Sequence, residues 1–404
     1  MTKGINDLQP ARLEQALVAR GLTKGQLASL VGVASSTVTK WCQGNQFPEA
    51  QTFDRLASIL NVEAEWLTRP TLPTVSPPLF RSNALALKTA RAKLFARTNW
   101  AQDLAALFAE HVDYPALNLP ERDFLAPEDI TDEDIEAAAE ECRQRWQLGR
   151  TPIQDLVLAA ESAGILVVRE ETDIATIEGL SSWSTVLGLP IVLLSADKAN
   201  GFRSRFDLAH EIGHLVLHKH IPPSPDRERY NLMEKQAHHF AGALLLPAET
   251  FADDVRVPVN LDNLLILKQR WGVSAAAMLM RLHKIGLITD EEKDALFKRR
   301  SARWGAKAEP FDDKWDPEKP RLLRRTVELL ISAGVLTTES VVRYIGLSAR
   351  DVEQLCGLRE GYFSSPPQVV ELATLRNRKE AIQNNQNVVN GESAKVMSLA
   401  DFKR

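Results

Sequence analysis

Two histidines four residues apart, with a glutamate beside the first, carry the clearest chemistry in this chain: His210-Glu211-Ile212-Gly213-His214. On an α-helix, positions i and i+4 share a face, so both imidazoles can point at one ion. Glu211 can reach a water bound to that ion. Two nitrogen ligands and a general base are the core of a site for zinc-assisted hydrolysis. Leu208, Ala209, Ile212, Gly213, Leu215 and Val216 are uncharged and no proline interrupts them. The motif is therefore expected inside a continuous, buried helix.

A catalytic zinc needs a third protein ligand and an open position for water. His218 is four residues beyond His214, about 12 Å along the helix axis from His210, so it cannot join the same ion. His218 and His220 are expected at the helix end, where the helix dipole favours them. The better third ligand is Glu234, in Met233-Glu-Lys-Gln-Ala-His-His-Phe-Ala-Gly-Ala-Leu-Leu-Leu-Pro247. Glu234, Ala237, His238 and Ala241 fall on one helical face. The alanines and Gly242 permit close packing against the His210 helix, which would bring Glu234 to the ion. An exposed helical glutamate with no ligand role is the alternative.

The remaining sequence must position these groups. At 404 residues the chain can form two or three domains with substantial cores. A charged fraction of 25% and a hydrophobic fraction of 44% are those of a globular protein. A net charge of −4 excludes a general nucleic-acid or membrane coat. Cys42, Cys142 and Cys356 form no CxxC pair, which excludes a disulfide framework and a cysteine zinc site and fits a reducing cytosol. The first ten residues lack a signal-peptide core and no apolar run approaches a membrane span, so a cytoplasmic protein without membrane contact is expected.

The expected fold class is α+β, mainly α. Residues 1–70 read as a helical bundle and 71–79 as a stiff linker, part of a proline-rich stretch in which four of the eleven residues Thr68–Pro78 are proline. Residues 80–300 read as a helical lead-in, a small sheet and the metal site. The short β-rich runs are Ile165–Arg169 and Pro190–Ser195, the latter a candidate edge for binding an extended substrate near Trp183. Tyr230 and His239 are candidate second oxyanion donors. Residues 301–375 read as a helical domain, and 376–404, rich in Asn and Gln, as a disordered tail. Gly272–Leu287 and Thr337–Leu355 each have a helix-turn-helix look, with a Met/Leu core stripe in the first.

Near the N-terminus, Thr23-Lys-Gly-Gln26 forms a capping box before an apolar helix, Gly32 marks a turn, and Ser35–Lys40 gives a polar second helix closed by Trp41. One bracing helix followed by one presenting short polar side chains is helix-turn-helix chemistry. Residues 1–68 hold six basic and six acidic side chains, so binding to double-stranded DNA should need a specific operator and a homodimer. A bundle that binds protein instead is the rival reading.

Over about sixty residues this segment resembles the XRE family of phage-repressor-like DNA-binding domains. The resemblance implies that Ser35, Ser36 and Lys40 read bases, and that Lys24, Thr37 and Thr39 touch bases or phosphate. Cys42 stands where the family usually has Glu. Further on, HEIGHLVLH followed by E-x-x-A-x-x-F-A-x-x-L-L-x-P resembles the ImmA/IrrE metallopeptidase family over residues 130–290, supported by Pro152-Ile, Gly179-Leu-Ser-Ser and Pro190–Ser195. That resemblance implies a zincin-like core holding one zinc ion on His210, His214 and Glu234, with Glu211 as catalytic base. His238 stands where Asn or Asp is usual: a hydrogen-bond donor behind a ligand, an alternative ligand, or a structural polar group. Asp207 stands where Thr is common and could orient a ligand histidine. Together the resemblances imply a transcriptional regulator whose zinc endopeptidase cuts a repressor or antitoxin-like protein. The alternative is a transcription factor or antitoxin whose zincin-like domain is a non-proteolytic sensor.

Overall fold

Helix starts in this chain are written in short polar side chains. Thr23, Thr131, Thr289 and Thr337 each close a capping box, and Asp155, Asn200, Asp226, Asn260, Ser274 and Ser348 cap other helices through one side-chain oxygen. The computed structural model describes residues 7–77, 85–171, 178–197, 199–224, 226–305 and 308–364. The fold is α+β and mainly α, with one small sheet.

The N-terminal bundle contains α1 (Pro10–Ala19), α2 (Lys24–Val31), α3 (Ser35–Cys42) and α4 (Ala50–Leu60). A long helix, α5 (Leu85–Phe108), leads to α6 (Asp132–Arg145) and α7 (Leu156–Ser162). The sheet comes next: β1 (Leu166–Glu170), β2 (Gly179–Ser184) and β3 (Leu189–Ser195). Then come α8 (Gly201–Leu217), α9 (Arg227–Leu245), α10 (Ala248–Asp254), α11 (Leu261–Trp271), α12 (Ala275–Lys284) and α13 (Asp290–Trp304). The last described helices are α14 (Leu322–Ser332), α15 (Thr338–Ile345) and α16 (Ala349–Cys356). The tail expected to be disordered lies outside the described residues, as do positions 78 and 79 of the linker.

The strand order is β1-β3-β2. β3 pairs in parallel with β1 (Leu166↔Ile191) and antiparallel with β2 (Trp183↔Pro190). This corrects the expectation that Pro190–Ser195 is a substrate-binding edge. Its backbone is consumed on both sides, and its side chains are buried almost throughout. An unbroken Leu-Pro-Ile-Val-Leu-Leu run is the pattern of a central strand, not of an edge. The edge beside the motif helix is β2.

One core runs from α6 and α7 across the sheet to α8, α9, α11 and α12. Met278, Leu279 and Leu282 of α12 lie in it, so that stripe is packing surface. Val352, Leu355 and Cys356 of α16 are buried too, and the α15–α16 pair packs the fold instead of presenting a second reading helix.

Buried ion pairs join the N-terminal bundle to α5, α16 and the sheet. Arg20, capping the C-terminus of α1, binds Asp351 of α16 through both terminal guanidinium nitrogens, at 2.8 and 2.5 Å. Arg97 of α5 pairs with the same carboxylate and, at 2.6 Å, with Glu170 at the end of β1. Arg12 of α1 pairs with Asp103 of α5 and donates to the carbonyl of Pro70 at 2.8 Å. The proline-rich segment is held at Val75, whose N–H donates to Asn99, and at Ser76, which meets β2.

Candidate metal centre and DNA-reading helix

The motif helix α8 is buried along nearly its whole length, and α9 packs against it more extensively than any other pair of elements. Their approach depends on Gly213. A Cβ there would lie 3.1 Å from Phe240 Cδ1 and 3.2 Å from the Cα of Ala237. With no side chain between them, the two helix backbones come close enough for Glu234 to reach the histidines.

His210 Nε2 and His214 Nε2 are 3.0 Å apart. Glu234 Oε2 lies 3.4 Å from the first and its Oε1 3.4 Å from the second. All three residues offer donor atoms within 4.8 Å of one another. A tetrahedral zinc with bonds of about 2.0–2.1 Å needs ligand atoms roughly 3.3 Å apart. The triangle present here fits that requirement, and its nitrogen and oxygen donors are those zinc takes. Burial works against ionisation of Glu234, but the adjoining His210 and His214 outweigh it and hold the carboxyl far below its usual range. Burial likewise disfavours charge on His210, yet Glu234, Glu211 and Asp207 together raise its pKa. Three carboxylates thus favour a cation at one spot.

Glu211 is buried, 6% exposed, beside the first residue of β2. A Cβ on Gly179 would stand 3.3 Å from Glu211 Cγ. Further along β2, the ammonium of Lys219 sits 4.5 Å from the Trp183 ring centroid. Gly179, Ser181 and Trp183 therefore share the face toward α8, and four strand residues match eight helical ones in length. The backbone groups of the same three residues point to the open side, because pairing direction alternates along a strand. Ser76 already uses that side: its N–H donates to the Trp183 carbonyl at 2.8 Å, and the Trp183 N–H donates to Ser76 Oγ at 2.7 Å.

His218 caps α8, as its place at the helix end suggested, but the dipole is not why it is there. It is 1% exposed, and burial with the neighbouring His214 pushes its pKa down to about 3, so it stays neutral. Its Nδ1 lies 2.9 Å from His214 Nδ1 and its Nε2 3.1 Å from Gln236 Oε1. The i, i+4 spacing stacks His218 on His214, but the contact with Gln236 has no signal in the sequence, because Gln236 is a single amide on another helix. His220 is exposed. His238 is exposed too, with its Nδ1 2.7 Å from the Glu234 carbonyl and its ring 4.4 Å from that of His210. Asp207 reaches His210 through its charge, and the buried Nδ1 of His210 has no hydrogen-bond partner among the described residues. Tyr230 is close to Glu234: burial, that charge and a hydrogen bond to it all raise the phenol's pKa. His239 turns toward α6 instead, 2.8 Å from Glu136, which also binds Arg281 of α12. Burial opposes ionisation of Glu136, but these two partners hold it at about 2.

At the other end of the chain, α2 and α3 meet as expected. Gly32 takes the left-handed conformation (φ 83°) that the turn requires, and the Thr23–Gln26 capping box is formed. Val38 and Trp41 are buried, while Ser35, Ser36 and Lys40 are exposed and Thr37 and Thr39 half-buried. Thr39 Oγ1 donates to the Ser35 carbonyl at 3.0 Å, and Lys24 pairs with Glu14 at 3.0 Å. Cys42, the last residue of α3, is buried, and burial raises its thiol pKa.

Residues 13–67 match the helix-turn-helix family model, and residues 160–283 match the peptidase M78 model, described as the IrrE N-terminal-like domain. The chain joins a helix-turn-helix domain to an IrrE-like peptidase-family domain. No curated protein matches it in sequence. The IrrE-like match includes β1, α8, α9 and all three converging ligand candidates. Among the described residues, no helix is long and apolar enough to cross a membrane.

Proposed function

We propose that this chain is a DNA-binding regulator whose IrrE-like domain hydrolyses a peptide bond in a partner protein, a repressor or an antitoxin-like chain. The observation that carries the reading is the convergence of His210, His214 and Glu234, with Glu211 buried beside them. These three residues would hold one zinc ion. When bound, zinc would act as a Lewis acid toward the substrate carbonyl and lower the pKa of a water. Glu211 accepts the proton of the attacking water and returns it to the leaving amine. Tyr230, close to Glu234, would donate to a developing oxyanion. An extended substrate would add to β2 along Gly179, Ser181 and Trp183 and would displace Ser76 at the far end. A cleft of about 530 Å³ beside that end, lined by Trp183, Leu215, Lys219, Leu119 and Arg122, offers room for substrate side chains. In the other domain, Ser35, Ser36 and Lys40 face outward to read bases, with Lys24, Thr37 and Thr39 at the margin.

The test is to incubate the zinc-loaded chain with candidate repressors and antitoxins. Glu211→Gln should keep its zinc and lose cleavage, and cleavage unaffected by that change would refute the mechanism.

The buried cluster of Arg20, Asp351, Arg97 and Glu170 supports a second reading, in which the zinc domain is a sensor read out by the DNA-binding head. It ties α1 to β1 through α5 and α16, a continuous path between the two domains. That reading requires operator affinity to change when zinc is removed, with no partner cleaved.

A further inference from the structure

We propose that His218, backed by Gln236, is a positioning residue that fixes the tautomer of His214 and so presents a bare Nε2 to the metal. The inference rests on the reading of His214 as a zinc ligand.

Gln236 sets the first orientation in a chain of hydrogen bonds. Its Nε2 lies 2.7 Å from the carbonyl of Pro127 and 3.4 Å from that of Ile130. Backbone carbonyls only accept, so the amide must turn its N–H groups toward them. Its Oε1 then faces His218 Nε2 at 3.1 Å, and an amide oxygen also only accepts. His218 Nε2 must therefore carry the proton. A second proton on His218 would bury a cation whose polar partners among the described residues are an amide and another imidazole. The ring is thus neutral, and its Nδ1 is a lone pair. His214 Nδ1, 2.9 Å away, donates to it. A neutral His214 protonated on Nδ1 has its lone pair on Nε2, the atom that meets His210 and Glu234.

One orientation dictates the next across four groups, anchored at the turn before α6. Such support behind a metal-binding histidine fixes its ring and raises its basicity. His210 has nothing comparable, since its Nδ1 is buried without a hydrogen-bond partner among the described residues. The two histidines of the motif are therefore unequal: His214 is set in place before metal arrives, and His210 is oriented by the metal itself.

The test measures zinc affinity of the full chain by competition with a chelating dye, which needs no substrate. His218→Asn places an amide oxygen where Nδ1 stood, and His218→Leu has the same shape without the acceptor. His218→Leu should weaken zinc binding by about 10–100-fold, and His218→Asn should recover most of it. A purely packing role would move the melting temperature of the metal-free chain alike in both, without separating their zinc affinities. Equal affinities for the Leu and Asn variants overturn the proposal, as does wild-type affinity in the Leu variant. If the Leu variant folds poorly, Gln236→Met serves instead. It removes the acceptor for His218 Nε2–H, and wild-type zinc affinity there is equally fatal. His214→Ala runs beside them: if it binds zinc as wild type does, the ligand reading fails, whatever His218 does.

Discussion

Gly213 of α8 and Phe240 of α9 lie so close that a single added carbon would sit 3.1 Å from the ring. This contact sets the distance between the helix that carries His210 and His214 and the helix that carries Glu234. Overpacking a well-filled interface costs about 1–3 kcal/mol. Gly213→Val should push the helices apart and lower zinc per chain well below one after dialysis, with a reduced melting temperature. Gly213→Ala, needing a shift of only a few tenths of an ångström, should fall between Val and wild type. A Gly213→Val chain that melts normally and retains full zinc would show that this approach does not hold the ligands together.

Asp351 receives Arg20 and Arg97 in a buried site, where its side chain is 4% exposed. Removing one partner from such a cluster costs about 3–5 kcal/mol. Burial opposes ionisation of Asp351, but the arginines and Ser348 bring its pKa down to about 2. The folded value lies below the ordinary one near 4, so the stabilisation is present above about pH 4 and is lost as the pH falls toward 2. Glu170 works the other way: burial raises its pKa despite Arg97, so its ionisation opposes folding at neutral pH. Asp351→Asn should therefore destabilise strongly at pH 7 and much less near pH 2 to 3, by urea unfolding at each pH. An equal loss at both values would mean that the carboxylate charge is not what holds the domains together.

Much of this was legible in local sequence because the causes are local. The Thr23–Gln26 box, the left-handed Gly32 and the i, i+4 spacing of His210 and His214 each act within one turn of chain. Glu234 could be placed because small residues on its helix signal a close neighbour. Strand order could not be read, since it depends on which strand pairs with which over tens of residues, and β3 became central against expectation. His218 was placed at the helix end but not understood there, because its reason lies in Gln236 and in carbonyls before α6. Gly179 gave no signal beyond being a glycine in a short strand. Its importance comes from Glu211, thirty-two positions later.

Of the polar residues on α3, Lys40 and Ser36 are exposed, whereas Thr39 already gives its hydroxyl proton to the Ser35 carbonyl. Lys40→Ala should weaken operator binding, and if its contact is to phosphate the slope of log affinity against log salt should drop by about one. Ser36→Ala should cost about 1–3 kcal/mol at one base position if that hydroxyl reads a base. Thr39→Val should change affinity little. Fluorescence anisotropy on a selected operator, across a salt series, measures all three. A Thr39→Val loss as large as that of Lys40→Ala would place the reading face elsewhere on the helix.

Gly179 separates metal binding from catalysis. A Cβ there would meet the Leu193 carbonyl at 3.2 Å and both Glu211 Cγ and Leu194 Cδ2 at 3.3 Å, so a side chain crowds the strand, Leu194 and the proposed base together. The carbonyl belongs to the central strand and is held by the sheet, which leaves the Glu211 and Leu194 side chains to move. The three ligand candidates lie on α8 and α9, and none supplies one of the three atoms nearest that added carbon. Gly179→Val should keep zinc content near that of wild type while cleavage of the partner protein falls by roughly 100-fold, the scale expected from a misplacement of about 1 Å. Glu211→Gln sets the floor for comparison, because it removes the base without moving it. Wild-type cleavage by Gly179→Val would show that Glu211 tolerates displacement and is not the base. Loss of zinc in the same variant would show instead that β2 supports the ligands themselves.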